Sequence, residues 1–207
     1  MNPYLEGLFL QASLILALGA QNLFVLESGL RKRRHFFVAA LCTLCDTTLI
    51  TLGVLGAASI FVQIPWLKIL FGFLGVAFLA YYGLLKLRER PVVSVNASDG
   101  DAEPVSVALV AGQTLAFSLL NPHVYLDTII LIGGYSSRFP LAWDRFVFGM
   151  GASTFSLIWF FGLSFAAAAM SRTMNNSKVM RCVSVVSGVV LLALALKLGM
   201  DVWGWWG

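Results

Sequence analysis

Apolar residues run along the chain in six long blocks, each cut off by a short polar or basic stretch. The blocks cover roughly 5–26, 36–62, 66–85, a run within 105–134, 146–170 and 179–200. A helix crossing the hydrocarbon core of a bilayer needs about 20 consecutive apolar residues. Six such blocks predict six transmembrane helices. Arg31, Lys32, Arg33 and Arg34 close the first block, Pro65 the second, and Lys86 and Arg88 the third. No basic residue precedes the first block, so a cleavable signal peptide is not expected and the first segment is read as retained.

Composition agrees with this pattern. Of 207 residues, 59% are hydrophobic and only 12% are charged, against about 25% charged in a soluble domain. The chain cannot cover a globule with polar surface. That excludes a soluble enzyme, a disordered tail and a nucleic-acid binder, although the net charge is +4. The basic residues instead orient the chain. Ten of the 14 Lys and Arg residues lie in the loops after blocks one, three and five. The excess of Lys and Arg in cytoplasmic loops puts those loops inside and both termini outside. Trp66, Trp143, Trp203, Trp205 and Trp206 then fall at the outer boundary, where amphipathic indoles settle. A first block that failed to cross would leave five spans and an N-terminus inside.

The stretch Pro91 to Pro104 is polar, carries Asp99, Asp101 and Glu103, and has no helical period. It reads as a cytoplasmic linker between a first three-helix unit, 1–90, and a second, 105–207. An odd number of spans per unit makes the second enter from the opposite side. The predicted fold is therefore an all-α integral membrane protein of six transmembrane helices, built as two inverted three-helix repeats. Inverted repeats are a transporter design, with the substrate site between them and often on broken helices. Leu18-Gly19-Ala20-Gln21-Asn22 and Leu120-Asn121-Pro122-His123 interrupt corresponding blocks. Pro122 is the only proline inside a block, and it removes a backbone donor there. Helix breaks are expected at Gly19, Ala20 and Pro122.

Asp46 lies about ten residues into the second block, about 15 Å deep at 1.5 Å per residue. An aspartate there costs about 2.5–3.5 kcal/mol on insertion scales, and such residues mark pathways. Its helix face carries Ala39, Cys42, Thr43, Ile50 and Gly53, mostly small. Asp127 is the second candidate, four residues after His123 on one helix face. Gln21, Asn22, Asn121 and Tyr125 add uncharged donors and acceptors. The half-helix N-terminus at a break suits an α-carboxylate, and two aspartates suit a cationic group. Together they describe a site for a basic amino acid. Asp46, Asp127 and His123 are the titratable groups able to exchange substrate for a proton, which would make export electroneutral. Glu27 is expected to pair with Arg31, and Lys197 with Asp201 at the outer end.

At these residues the sequence resembles the lysine exporter (LysE) family, and more closely its arginine exporter branch. The resemblance covers essentially the whole chain. It rests on LGAQN at Leu18 to Asn22, the basic turn Arg31 to Arg34, Asp46, and LLNPHVYLD at Leu119 to Asp127, the last being the most specific. It implies efflux of L-arginine and L-lysine across a bacterial inner membrane and importance for Asp46 and Asp127. Ala20 stands where the family usually has proline, so the first break is expected to be softer than the second.

Rival readings attach to Cys42 and Cys45, a C-x-x-C beside Asp46. A thiol-redox carrier or a soft-metal efflux protein would use them. Small residues on one packing face explain the same pair. An exporter of neutral amino acids would need no carboxylates for the side chain. No metal or cofactor is expected. Gly72, Gly75 and Gly149 suit either internal contacts or a homodimer.

Overall fold

The computed structural model describes residues 2–16, 19–57, 65–88, 106–171 and 177–206, and of Ala57, Pro65, Leu67, Lys68, Pro122, His123, Leu126 and Ser177 the backbone alone. The linker 91–104 and Leu18 lie outside the described residues, as do the side chains of Trp205 and Trp206. Every regular element among the described residues is helical. They are α1 (Pro3–Ile15), α2 (Ala20–Leu30), α3 (His35–Leu52), α4 (Pro65–Arg88), α5 (Val107–Leu119), α6 (Pro122–Tyr125), α7 (Gly133–Ser136), α8 (Ala142–Met170) and α9 (Ser177–Trp206). A wide π-type turn follows α3 over Gly53–Ala57 and is kinked at Gly56, whose φ is 97°, and another joins α6 to α7 over Leu126–Ile132.

Among the described residues four helices are long and apolar enough to cross a membrane: His35–Gly56, Ile69–Arg88, Ala142–Met170 and Lys178–Gly204. The first block differs from the continuous span its hydropathy suggests. It is two helices bent by 81°, which make a fifth candidate span if taken together. The fourth block differs too. With 13 residues α5 is only about 20 Å long, short of the roughly 30 Å hydrocarbon core.

Both breaks have local causes. Gly19 is extended (φ −96°, ψ 173°), and α2 starts after it. Backbone groups freed inside a membrane must find protein partners. The Asn22 side chain supplies one, donating from Nδ2 to the Ile15 carbonyl over 2.7 Å. At the second break Pro122 opens α6, the first helical position that proline tolerates. There the Tyr125 hydroxyl donates to the Leu119 carbonyl at the end of α5. Each break is thus closed by a side chain from the half-helix that follows it.

Glycine lets the broken segments approach their neighbours. A methyl on Gly7 would lie 2.0 Å from the Phe148 carbonyl oxygen, and one on Gly151 would lie 2.0 Å from that of Tyr4. Backbones in this close contact admit no side chain. Further along, Gln11 meets Ser156, Asn22 meets Trp159, and Gly29 meets Ala167. The bent α1–α2 pair therefore follows the straight α8 from Phe148 to Ala167, about 28 Å at 1.5 Å per residue, the depth of one span. The segment 107–136 follows α3 in the same manner: Ser118 meets Cys42, and Gly133 packs on Gly53. α4 and α9 pack together along their lengths. Gly75 packs against Leu120 at the second break, and Gly149 against Val54, so both serve contacts within the chain.

The main core cluster joins α2, α3, α4, α5, α8 and α9, with Phe24, Val38, Phe117 and Phe160 buried at its centre. The outer faces carry exposed apolar side chains such as Leu44, Tyr81, Leu157 and Leu196, as a lipid-facing surface does. Trp66, Trp143 and Trp203 are among the exposed rings.

Candidate functional site

Asp46 sits on the buried face of α3 with Ala39, Cys42, Ile50 and Gly53, and only 3% of it is exposed. Three donors reach its carboxylate from three other helices. Ser156 on α8 donates its hydroxyl to Oδ2 over 3.1 Å. Gln11 on α1 donates from Nε2 to the same oxygen over 3.4 Å and to Ser156 Oγ over 2.8 Å. Gln21, just past the first break on α2, reaches Oδ1 at 3.5 Å. A buried carboxylate held by several donors stays compatible with an apolar surrounding. Among the described residues the Gln11 Oε1 atom has no hydrogen-bond partner. It is an acceptor left over in the wall of a cavity.

That cavity has a volume of about 290 Å³. Asp46 lines it from α3, Gln11, Gly19, Gln21 and Asn22 from the broken α1–α2 segment, and Asn121, Asp127 and Thr128 from the second break and the stretch after it. Leu79 of α4 and Leu194, Lys197 and Leu198 of α9 form the side of the wall away from the breaks. Two carboxylates and the polar residues of both breaks therefore face one space. Asp127 lies in the π-type stretch Leu126–Ile132, where the widened turn replaces a regular helix. Such stretches in helices frequently accompany functional sites.

The sequence-derived candidates divide. Asp46, Asp127, Gln21, Asn22 and Asn121 share the cavity wall, with Gly19 and Ala20 of the first break. Tyr125 does not line it. It is buried against Phe71 and donates to the Leu119 carbonyl, so its hydroxyl serves the break and not the cavity. The side chains of His123 and Pro122 lie outside the described residues. Asn22 has a double role, since it also accepts from Trp159 Nε1 over 3.1 Å. Lys197, expected to pair with Asp201 at the outer end, is part of the cavity wall.

Gln11 and Ser156 were not anticipated. A lone Gln or Ser in an apolar run is common, and only the contact of α1 with α8, 145 positions apart, gives either of them meaning. Two further buried carboxylates lie away from the cavity. Glu6 accepts from the Tyr135 hydroxyl over 3.0 Å and pairs with Arg138. Glu27 pairs with Arg31 over 2.8 Å, as expected, and with Lys86 over 2.5 Å.

Cys42 and Cys45 are buried free thiols. Ser118 Oγ lies 4.0 Å from Cys42 Sγ, where α5 packs on α3. Among the described residues no group of three His, Cys, Asp or Glu side chains could hold a metal ion.

The profile of the family described as LysE type translocator matches residues 12–202. A protein of Aeromonas salmonicida, YggA, named for amino-acid transport, is 39% identical over 196 residues, 94% of each chain. The arginine exporter protein ArgO of Escherichia coli K12 is 34% identical over 198 residues, 96% of this chain and 93% of that one. ArgO of Salmonella typhi is similar to the same degree. No solved structure matches the chain.

Proposed function

The chain belongs to the LysE family of translocators, multi-pass membrane transporters and not enzymes, and on that premise we propose that it exports basic L-amino acids, arginine first and lysine with it. The bacterial inner membrane is its site of action. The observation that carries this reading is that Asp46 and Asp127 face one cavity between two helix breaks. Two carboxylates match a guanidinium or ammonium group. Donors at the breaks, Asn121 and Gln21 among them, suit the α-carboxylate. With the Lys197 ammonium in the same wall, the two carboxylates leave one net negative charge, which the net positive charge of a basic amino acid balances and a neutral amino acid does not. The arginine exporters among the relatives support the same choice.

Six crossings in two inverted repeats, 1–90 and 105–207 around the linker 91–104, fit the packing. The broken first span lies on α8, the broken fourth on α3, and α4 pairs with α9. Exchanging the repeats maps this set of contacts onto itself. The basic turn Arg31 to Arg34 then faces the cytoplasm with the other basic loops, and both termini face outside.

Moving a monovalent cation out of a negative interior costs about 2.3 kcal/mol per 100 mV. Antiport of one proton cancels that electrical work. Asp46 and Asp127, with His123 in reach of Asp127 by its i, i+4 spacing, are the groups that alternate between substrate and proton. Counterflow in proteoliposomes tests the reading. Internal unlabelled arginine or lysine drives uptake of labelled arginine, and threonine does not. Equal exchange of threonine contradicts it. Coupling is tested in the same vesicles, where an imposed pH gradient drives uptake and a protonophore abolishes it.

A further inference from the structure

A second cavity, of about 440 Å³, opens at the basic end of the bundle, with Arg31, Arg33, Lys86 and Arg88 around it. Three helices connect it to the central cavity in the same three steps. On α2, Gln21 lines the central cavity, Phe24 comes one turn later, and Glu27 lines the second cavity. On α4 the order is Leu79, Tyr82, Lys86. From the second break back along α5 it is Asn121, Phe117, Gln113. The middle step is aromatic on all three. Phe117 stacks on Phe24 at 4.7 Å between ring centres and meets Tyr82 edge-on at 4.9 Å. Phe78 closes on Phe117 from the side at 4.8 Å. The two cavities are thus separated by one aromatic layer.

Glu27 stands directly beyond this layer. It is the only carboxylate in the described wall of the second cavity, and it is buried. Its Oε1 takes the Lys86 ammonium at 2.5 Å and Arg31 Nε at 2.8 Å. The two partners differ in consequence. Arg31 follows Glu27 by four residues and caps the same helix, α2. Lys86 comes from α4, so its bond ties α2 to α4 on the second-cavity side of the layer. Lys86 also lies 5.3 Å from the centre of the Tyr82 ring. The pair therefore fastens Tyr82 and Phe24 where they meet Phe117.

A primary ammonium and a guanidinium are the two cationic heads that a basic amino acid carries, and Glu27 holds one of each. We propose that Glu27 is a second station for the cationic amino acid, reached through the basic-end cavity, where the substrate's ammonium or guanidinium displaces Lys86 and so releases the aromatic layer. This rests on the reading of the chain as an exporter of basic amino acids. Lys86 is then a place-holder that keeps the layer shut until a cation of the same chemistry takes over its carboxylate. Glu27 keeps a partner throughout, because its pair with Arg31 lies within α2 and its cap, and Arg31 is itself held by a bond to Ser184 of α9 over 2.7 Å.

The test compares apparent KM for arginine presented on the Glu27 side of proteoliposomes. Sidedness is read with an impermeant thiol reagent at a cysteine placed in the exposed basic turn, Lys32→Cys. Lys86→Met removes the competitor and leaves the Glu27–Arg31 pair, so KM is expected to fall about fivefold, the factor of one ion pair of modest strength. Glu27→Gln is expected to raise KM at least about tenfold. The double variant then behaves as Glu27→Gln does. An unchanged or higher KM in Lys86→Met overturns the station, and so does recovery of transport in the double variant, which is the mark of a structural pair. Absence of arginine and lysine transport in the unmodified protein overturns the exporter reading and this station with it. Transport by the unmodified protein with Lys86→Met unaltered overturns the station alone.

Discussion

Ser156 on α8 donates its hydroxyl to Asp46 on α3 over 3.1 Å, at a contact where neither side chain meets bulk solvent. The bond crosses between the two proposed repeats. It is also the bond that Gln11 shares, since Gln11 Nε2 donates to both groups. A hydrogen bond to a charged group contributes about 1.5–3 kcal/mol. Ser156→Ala is therefore expected to cut arginine exchange about tenfold, while Ser156→Thr, which keeps the hydroxyl, retains most of it. Initial rates of counterflow measure this. Equal rates in Ser156→Ala and the unmodified protein would remove Ser156 from the support of Asp46.

The two breaks predict separable defects. Asn22→Ala strips the Ile15 carbonyl of its donor and removes a polar group from the cavity wall. Tyr125→Phe strips the Leu119 carbonyl of its donor, at a side chain outside the described cavity wall. An unsatisfied buried carbonyl costs about 1–3 kcal/mol. Both variants should lose thermal stability in detergent. Only Asn22→Ala should also raise KM. A raised KM in Tyr125→Phe would return that hydroxyl to the substrate.

Glycine at the contact of α1 and α8 is open to a direct check. Gly7→Ala places a methyl 2.0 Å from a backbone oxygen, and neither backbone can yield cheaply. Overpacking of this kind costs about 1–3 kcal/mol or more. Gly162→Ala, a position with nothing within 4 Å of the added methyl, serves as control. Gly7→Ala should lower the yield of monodisperse protein, and Gly162→Ala should not. Equal yields would contradict the close approach of the two backbones.

Cys42→Ala with Cys45→Ala should leave arginine exchange within about twofold, because a buried cysteine acts as a small hydrophobe. Loss of exchange in a variant that still folds would revive the redox or soft-metal reading.

What the sequence made legible was costly chemistry. Asp46 stood out because a carboxylate deep in an apolar run is expensive, and Pro122 because proline inside a span has no cheap explanation. Asp127, Gln21, Asn22 and Asn121 followed from their places at the breaks, and all five polar residues line one cavity. Long-range packing was not legible. Gln11 is an ordinary polar residue until α1 lies on α8, and Glu27 looked complete with Arg31, its neighbour one turn away, until α4 brought Lys86. Lys197 and Asp201 have the spacing of a helical pair, but that spacing does not reveal the cavity wall that Lys197 helps to form. Span counting reached its limit at segments 3–30 and 107–136, where hydropathy registers length but not a bend.

The central claim is that the Asp46 and Asp127 carboxylates recognise a cationic side chain. Citrulline has nearly the shape of arginine with a neutral ureido group in place of the guanidinium. Proteoliposomes preloaded with either amino acid, then assayed for uptake of labelled arginine, compare the two directly. Exchange driven by internal arginine and absent with internal citrulline is the predicted result. Equal exchange with both would contradict the account.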